Sequence, residues 1–99
     1  KKTMYKDLDP LLHSQLRLTI VSLLMAREEV DFNQIKDITN ATSGNISVQI
    51  KKLQDAGYIK VVKSFKNNYH NTSLKMTNKG IEAFENYVES LKQYIKPDK

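Results

Sequence analysis

Thr42-Ser43-Gly44-Asn45-Ile46-Ser47-Val48-Gln49-Ile50-Lys51-Lys52-Leu53-Gln54-Asp55-Ala56-Gly57 is the stretch that decides how this chain is read. It carries a helix start, Thr42 or Ser43 in the capping position, and a helix stop, Gly57 supplying a left-handed conformation past the last turn. Ile46, Ile50 and Leu53 stand at i, i+4 and i+7, one narrow apolar stripe. Opposite that stripe fall Gly44, Val48, Lys51 and Asp55, flanked by Asn45, Gln49 and Lys52 on one side and by Ser43 and Ser47 on the other. A helix kept soluble by ordinary means carries Glu–Lys pairs outside, whereas this one holds a single acid. Asn, Gln, Ser and Lys are the side chains that hydrogen-bond base edges and phosphates in a major groove. A merely solvated helix would be polar too, so the rest of the chain has to decide.

The location of charge bears on that decision. From Ser43 to Gly80 there are seven Lys (51, 52, 60, 63, 66, 75 and 79) against the single acid Asp55. The remainder of the chain holds nine bases and ten acids, so the whole net charge of +5 resides in that segment. A polyanion partner such as nucleic acid accounts for the segregation; solubility would not require it.

Ninety-nine residues make one domain, residues 1–99, with a single modest core. The absence of cysteine excludes disulfides, thiolate metal sites and cysteine nucleophiles. The apolar run from Ile20 to Ala26 is too short to span a bilayer, and no signal peptide is visible, so the chain reads as cytoplasmic and free of membranes. No Gly-rich phosphate loop, His pair at ligand spacing or Ser-His-acid set is present. We therefore expect no enzymatic activity, no cofactor and no metal. His13 stands alone and reads as a partly exposed structural residue, and Glu82, Glu85 and Glu89 as a solvated face.

Taken in order, Asp9-Pro10 predicts the opening of a first helix over 10–27, with Asp9 as cap and Pro10 at the first helical position. Leu12, Leu16, Ile20, Leu23 and Leu24 make one apolar face of it, and Leu11, Leu18, Val21 and Met25 a second. Two apolar faces imply burial on both sides, most simply by a second subunit. Residues 31–57 then hold a short helix capped by Asp31, with Phe32, Ile35 and Ile38 inward, the turn Thr39-Asn40-Ala41, and the helix of the opening stretch. Residues 58–76 read as a β-hairpin with a polar tip from Lys66 to Asn71. Thr77 caps a last helix over 78–95, where Ile81, Phe84, Val88, Leu91 and Ile95 form a heptad-like seam.

The fold class is thus mainly α with a β-hairpin (α+β), and the element order is similar to that of a winged helix-turn-helix. Leu8 to Leu18, Val30 to Ile35, Lys51 to Ile59 and Thr72 to Gly80, with its Leu-x-x-Thr-x-x-Gly, together resemble small MarR-like and ArsR-like bacterial and archaeal transcriptional regulators. The resemblance spans about residues 8 to 93. It implies a homodimer whose helix from Thr42 enters the major groove while the hairpin, as a wing, touches backbone or minor groove. Such wings commonly carry Arg, and here Lys63, Lys66, Asn67, Asn68 and His70 stand instead. The family often has a small-molecule effector, for which no residue here marks a site.

These observations predict a sequence-specific double-stranded DNA-binding transcriptional regulator acting as a homodimer on a near-palindromic operator. The alternative is a winged helix used for protein–protein contact. Base contacts are expected from Ser43, Asn45, Ser47, Val48 and Gln49, with Val48 against a thymine methyl and Asn45 and Gln49 suited to adenine. Phosphate contacts are expected from Thr42, Lys51, Lys52, Lys63, Lys66, Asn67, Asn68 and His70. Leu11, Leu18, Met25, Ile81, Phe84, Val88, Leu91 and Ile95 are expected at the dimer interface.

Overall fold

The computed structural model describes residues 5–66 and 69–96, and the side chains of all of these except Lys66, Tyr69 and His70. Its elements are α1 (Gln15–Ala26), β1 (Val30–Asp31), α2 (Phe32–Thr39), α3 (Ser43–Asp55), β2 (Ile59–Lys66), β3 (Tyr69–Met76) and α4 (Asn78–Ile95). The architecture is α+β, four helices around a three-stranded antiparallel sheet ordered β1-β3-β2.

Helix α3 sits where its local signals put it. The Thr42 hydroxyl oxygen accepts from the Asn45 N–H at 3.1 Å. At the other end the Gly57 N–H donates to the Gln54 carbonyl at 2.9 Å and the Tyr58 N–H to the Leu53 carbonyl at 3.0 Å. That pair of bonds is a Schellman closure, and Gly57 has the positive φ of 82° it requires. Ile46, Ile50 and Leu53 are buried together with Leu12, Ile20, Val21, Ile35, Val30 and Leu74. Each such side chain contributes about 1.5–3 kcal/mol by leaving water.

Helix α2 is held by a reciprocal capping box, the Gln34 N–H donating to Asp31 at 2.8 Å and the Asp31 N–H to the Gln34 side chain at 3.0 Å. Asn40, left-handed at φ 57°, turns the chain toward α3. Ile38, expected inward, is 49% exposed. Ile35 already fills the core from this short helix, and Ile38 falls on the rim of the buried stripe.

Four further expectations need correction. The first helix begins at Gln15, not Pro10, and ends at Ala26. Asp9 instead builds a separate turn, its side chain accepting from the Leu11 N–H and its carbonyl from the N–H groups of Leu12 and His13. Ser14 then goes extended before α1 begins, and Leu12 is swung into the core. The second face of α1 is also less free than its pattern implied, because Val21 is fully buried within the chain. The sheet has a third strand, as Val30 pairs with Leu74 and Asp31 with Ser73. Ser73 is buried and donates its hydroxyl to the Glu29 carboxylate. Finally, β2 and β3 pair as far as Lys66 opposite Tyr69, so the strands run into the stretch expected to be a polar tip.

The Leu-x-x-Thr-x-x-Gly run is the joint between wing and last helix. Leu74 is fully buried. Thr77 caps α4 by accepting from the Gly80 N–H at 3.0 Å, donates its hydroxyl to the Gly57 carbonyl at 2.6 Å, and donates its N–H to the Tyr58 carbonyl at 3.1 Å. Gly80 permits that closeness, since a Cβ there would lie 2.1 Å from the Tyr58 carbonyl oxygen. The end of α3, the start of the wing and the start of α4 are thereby tied at one point.

Beyond that joint α4 leaves the core. Of its 18 residues only Gly80 and Tyr87 are buried. Ile81, Phe84, Val88 and Leu91 are half-buried and Ile95 is 70% exposed. Near its end Tyr94 stacks obliquely on Tyr5 at 4.9 Å and donates to the Lys6 carbonyl at 2.9 Å. Among the described residues no helix is long and apolar enough to cross a membrane.

Candidate nucleic-acid interface

With its apolar stripe fully engaged, α3 turns Ser43, Gly44, Asn45, Ser47, Val48, Lys51 and Lys52 outward, all exposed. Val48 keeps half of its surface, 50%, in contact with solvent. At Gly44 nothing lies within 4 Å of where a Cβ would be, so the first turn is open to close approach by a partner backbone. Thr42 is exposed as well, and although its oxygen caps the helix, its hydroxyl hydrogen is left to donate.

Gln49 differs from the others. It is half-buried, and its side chain is engaged at both ends. Its Nε2 donates to Asn45 Oδ1 at 2.8 Å, and its Oε1 accepts from the Arg17 guanidinium. Arg17 is itself held on α1 by donation from Nε to the Leu11 carbonyl at 2.6 Å. Sequence reasoning did not nominate Arg17. Its one signal was being the only charged residue of α1.

The cations are distributed over two elements. Lys51 lies 3.4 Å from Asp55, with side chains 75% and 64% exposed. Such a solvated pair contributes little, so Lys51 remains available to a polyanion. Lys52 on α3 and Lys63 on β2 are exposed, Lys63 standing opposite Thr72. The side chains of Lys66 and His70, and Asn67 and Asn68 entirely, lie outside the described residues. Of the phosphate-contacting residues expected from sequence, the structure therefore brings Thr42, Lys51 and Lys52 together on one helix and places Lys63 on the wing.

Below the wing, Tyr58 donates its phenol to Asp9 at 2.5 Å, and Lys79 stands 6.0 Å from its ring centroid. Burial pushes the Tyr58 phenol up to about 12, and the hydrogen bond to Asp9 with that carboxylate's charge adds to the shift. An open groove of about 630 Å³ runs between the end of α1 and the start of α4, walled by Met25, Arg27, Lys60, Lys75 and Ile81. His13 donates to or accepts from the Tyr87 hydroxyl at 3.0 Å. Among the described residues no three His, Asp or Glu side chains converge on a metal position.

A family model described as a winged helix DNA-binding domain matches residues 16–95. An uncharacterised protein of Methanocaldococcus jannaschii is 37% identical over 84 residues, covering 85% of this chain and 91% of that protein. A transcriptional regulator homologue from Pyrococcus horikoshii OT3 superposes with a TM-score of 0.80 at 29% identity, covering 86% of this chain and 84% of the other. A MarR variant from E. coli, solved in complex with operator DNA, shares the fold with a TM-score of 0.70 at 14% identity, and the match covers 87% of this chain and 61% of that one.

Proposed function

This chain belongs to the winged helix DNA-binding domain family, and from that premise we propose that it is a transcriptional regulator reading duplex DNA sequence-specifically, as a homodimer on a near-palindromic operator. The observation that carries the reading is the outward face of α3. It is exposed, almost free of acids and built from hydroxyl, amide and ammonium groups, while its apolar stripe is wholly used by the core. In this reading Ser43, Asn45, Ser47 and Val48 meet base edges, and Val48 packs on a thymine methyl. Thr42, Lys51, Lys52 and Lys63 hold phosphates and set register without selecting sequence. The cytoplasm is the compartment such work implies, and the role needs no catalysis.

The second copy is supported by α4. Val88, Leu91 and Ile95 follow one another along a helix that its own domain covers only in part. Leu11, Leu18 and Met25 are half-buried and lie on or just before α1. Pairing through these residues would set two α3 helices about 34 Å apart, one turn of duplex.

Selection of bound duplexes from a random pool, followed by titration across salt, tests the proposal. An inverted repeat should emerge, and log K should fall steeply and linearly with log salt, as counterions leave the phosphates. A protein–protein module would select nothing, and its apolar contact would be nearly indifferent to salt.

A further inference from the structure

Three side chains link α1 to the exposed first turn of α3, and the link has a direction. Arg17 is anchored by the Leu11 carbonyl and donates to Gln49 Oε1, and Gln49 Nε2 donates to Asn45 Oδ1. A guanidinium has donors and no acceptor. The Gln49 amide must therefore turn its oxygen to Arg17, which leaves its NH2 for Asn45, and Asn45 must turn its oxygen to that NH2. What remains at the exposed end is the Asn45 NH2, which has no partner among the described residues.

Resting on the DNA-reading role above, we propose that Arg17 and Gln49 are positioning residues. They hold Asn45 with its two N–H donors facing the groove, so that Asn45 selects a base edge rich in acceptors, guanine O6/N7 or thymine O4. Gln49 itself does not read a base. A bidentate grip on adenine needs its oxygen and its NH2 on one edge, and both are already committed within the protein. This departs from the expectation that Asn45 and Gln49 act side by side on adenine. The arrangement also lowers the cost of binding, because the amide of the reading residue is oriented before DNA arrives.

The polarity makes the idea testable by inversion. In Gln49→Glu the carboxylate still accepts from Arg17, but it has no donor for Asn45. Asn45 then turns its NH2 inward to the carboxylate and its oxygen outward, toward a donor edge such as cytosine N4. Arg17→Ala removes the anchor and lets both amides rotate. The experiment takes the duplex selected by the wild type and identifies the step whose preference disappears in Asn45→Ala. All four base pairs at that step are then competed against wild type, Arg17→Ala and Gln49→Glu.

Wild type should favour guanine or thymine there by about 5- to 100-fold. Gln49→Glu should reverse the order in favour of cytosine or adenine, which partial unfolding cannot produce. Arg17→Ala should flatten it to within about 3-fold. A wild-type order retained by both variants overturns the brace and leaves the DNA-reading role standing. A wild type with no base preference at any step overturns that role, and the brace with it.

Discussion

Helices α3 and α4 are both amphipathic and both on the surface, yet they end their folding in opposite conditions. In α3 the apolar stripe is finished: Ile46 and Leu53 are 0% exposed and Ile50 only 7%, and what faces solvent is polar apart from Val48. In α4 the stripe is unfinished, with Val88 and Leu91 half-covered and Ile95 70% exposed. An amphipathic helix whose polar face is unusual points to a polar partner, and one whose apolar face is left over points to an apolar one. The contrast teaches that a single small domain offers two surfaces of different chemistry, one suited to a polyanion and one to an apolar partner, which the proposed function takes to be a second copy of the chain.

The comparison breaks most violently if the seam on α4 is given charge. Val88→Glu with Ile95→Glu should yield a monomer by sedimentation at micromolar concentration, with its circular dichroism retained. Operator affinity should fall by about 100-fold or more, because two linked half-site contacts become independent. The corresponding cut in α3 acts on stability instead. Leu53→Ala should cost about 2–5 kcal/mol in urea unfolding, and the loss should not vary with protein concentration.

How far these features could be read from sequence follows the range of the interactions behind them. The ends of α3 were legible because Thr42 caps within its own first turn and Gly57 closes within its own last. The same locality misled at Asp9-Pro10, where a genuine capping signal served a separate turn and the chain started α1 only after Ser14. Strand β1 could not be foreseen from two residues, since Val30 and Asp31 are strand only because Leu74 and Ser73 arrive beside them. At the candidate site, exposure of Ser43, Asn45, Ser47 and Val48 followed from helical spacing alone. The tie from Arg17 to Gln49 did not, because it joins two helices packed by the whole core.

A milder way to sharpen the contrast uses charge on the polar side. Lys51→Ala with Lys63→Ala should weaken binding to every duplex alike and flatten the slope of log K against log salt by about two units. A change in which sequence is preferred would instead make one of them a reader of bases.

The smallest effect lies beside the joint that ties α3 to α4, where the Tyr58 side chain reaches back to Asp9. Tyr58→Phe should cost about 1 kcal/mol at pH 8, the contribution of its hydrogen bond to Asp9. The folded-state phenol is raised to about 12 against about 10 in an unfolded chain, so the fold holds this proton more tightly. That contribution is fully present below pH 10 and is lost as pH rises through about 12. The gap between wild type and Tyr58→Phe in urea midpoint should therefore close across that window. A gap that stays constant to pH 12 would rule out the hydrogen bond from the Tyr58 phenol to Asp9 as its source.

Hydroxyl-radical footprinting on the duplex selected by the wild type bears most directly on the claim of two surfaces with two partners. Two dyad-related protected windows are expected, one helical turn or about 34 Å apart, that are lost together in the Val88→Glu, Ile95→Glu protein. A single asymmetric window in the wild type, or protection that persists unchanged in that variant, would contradict that claim.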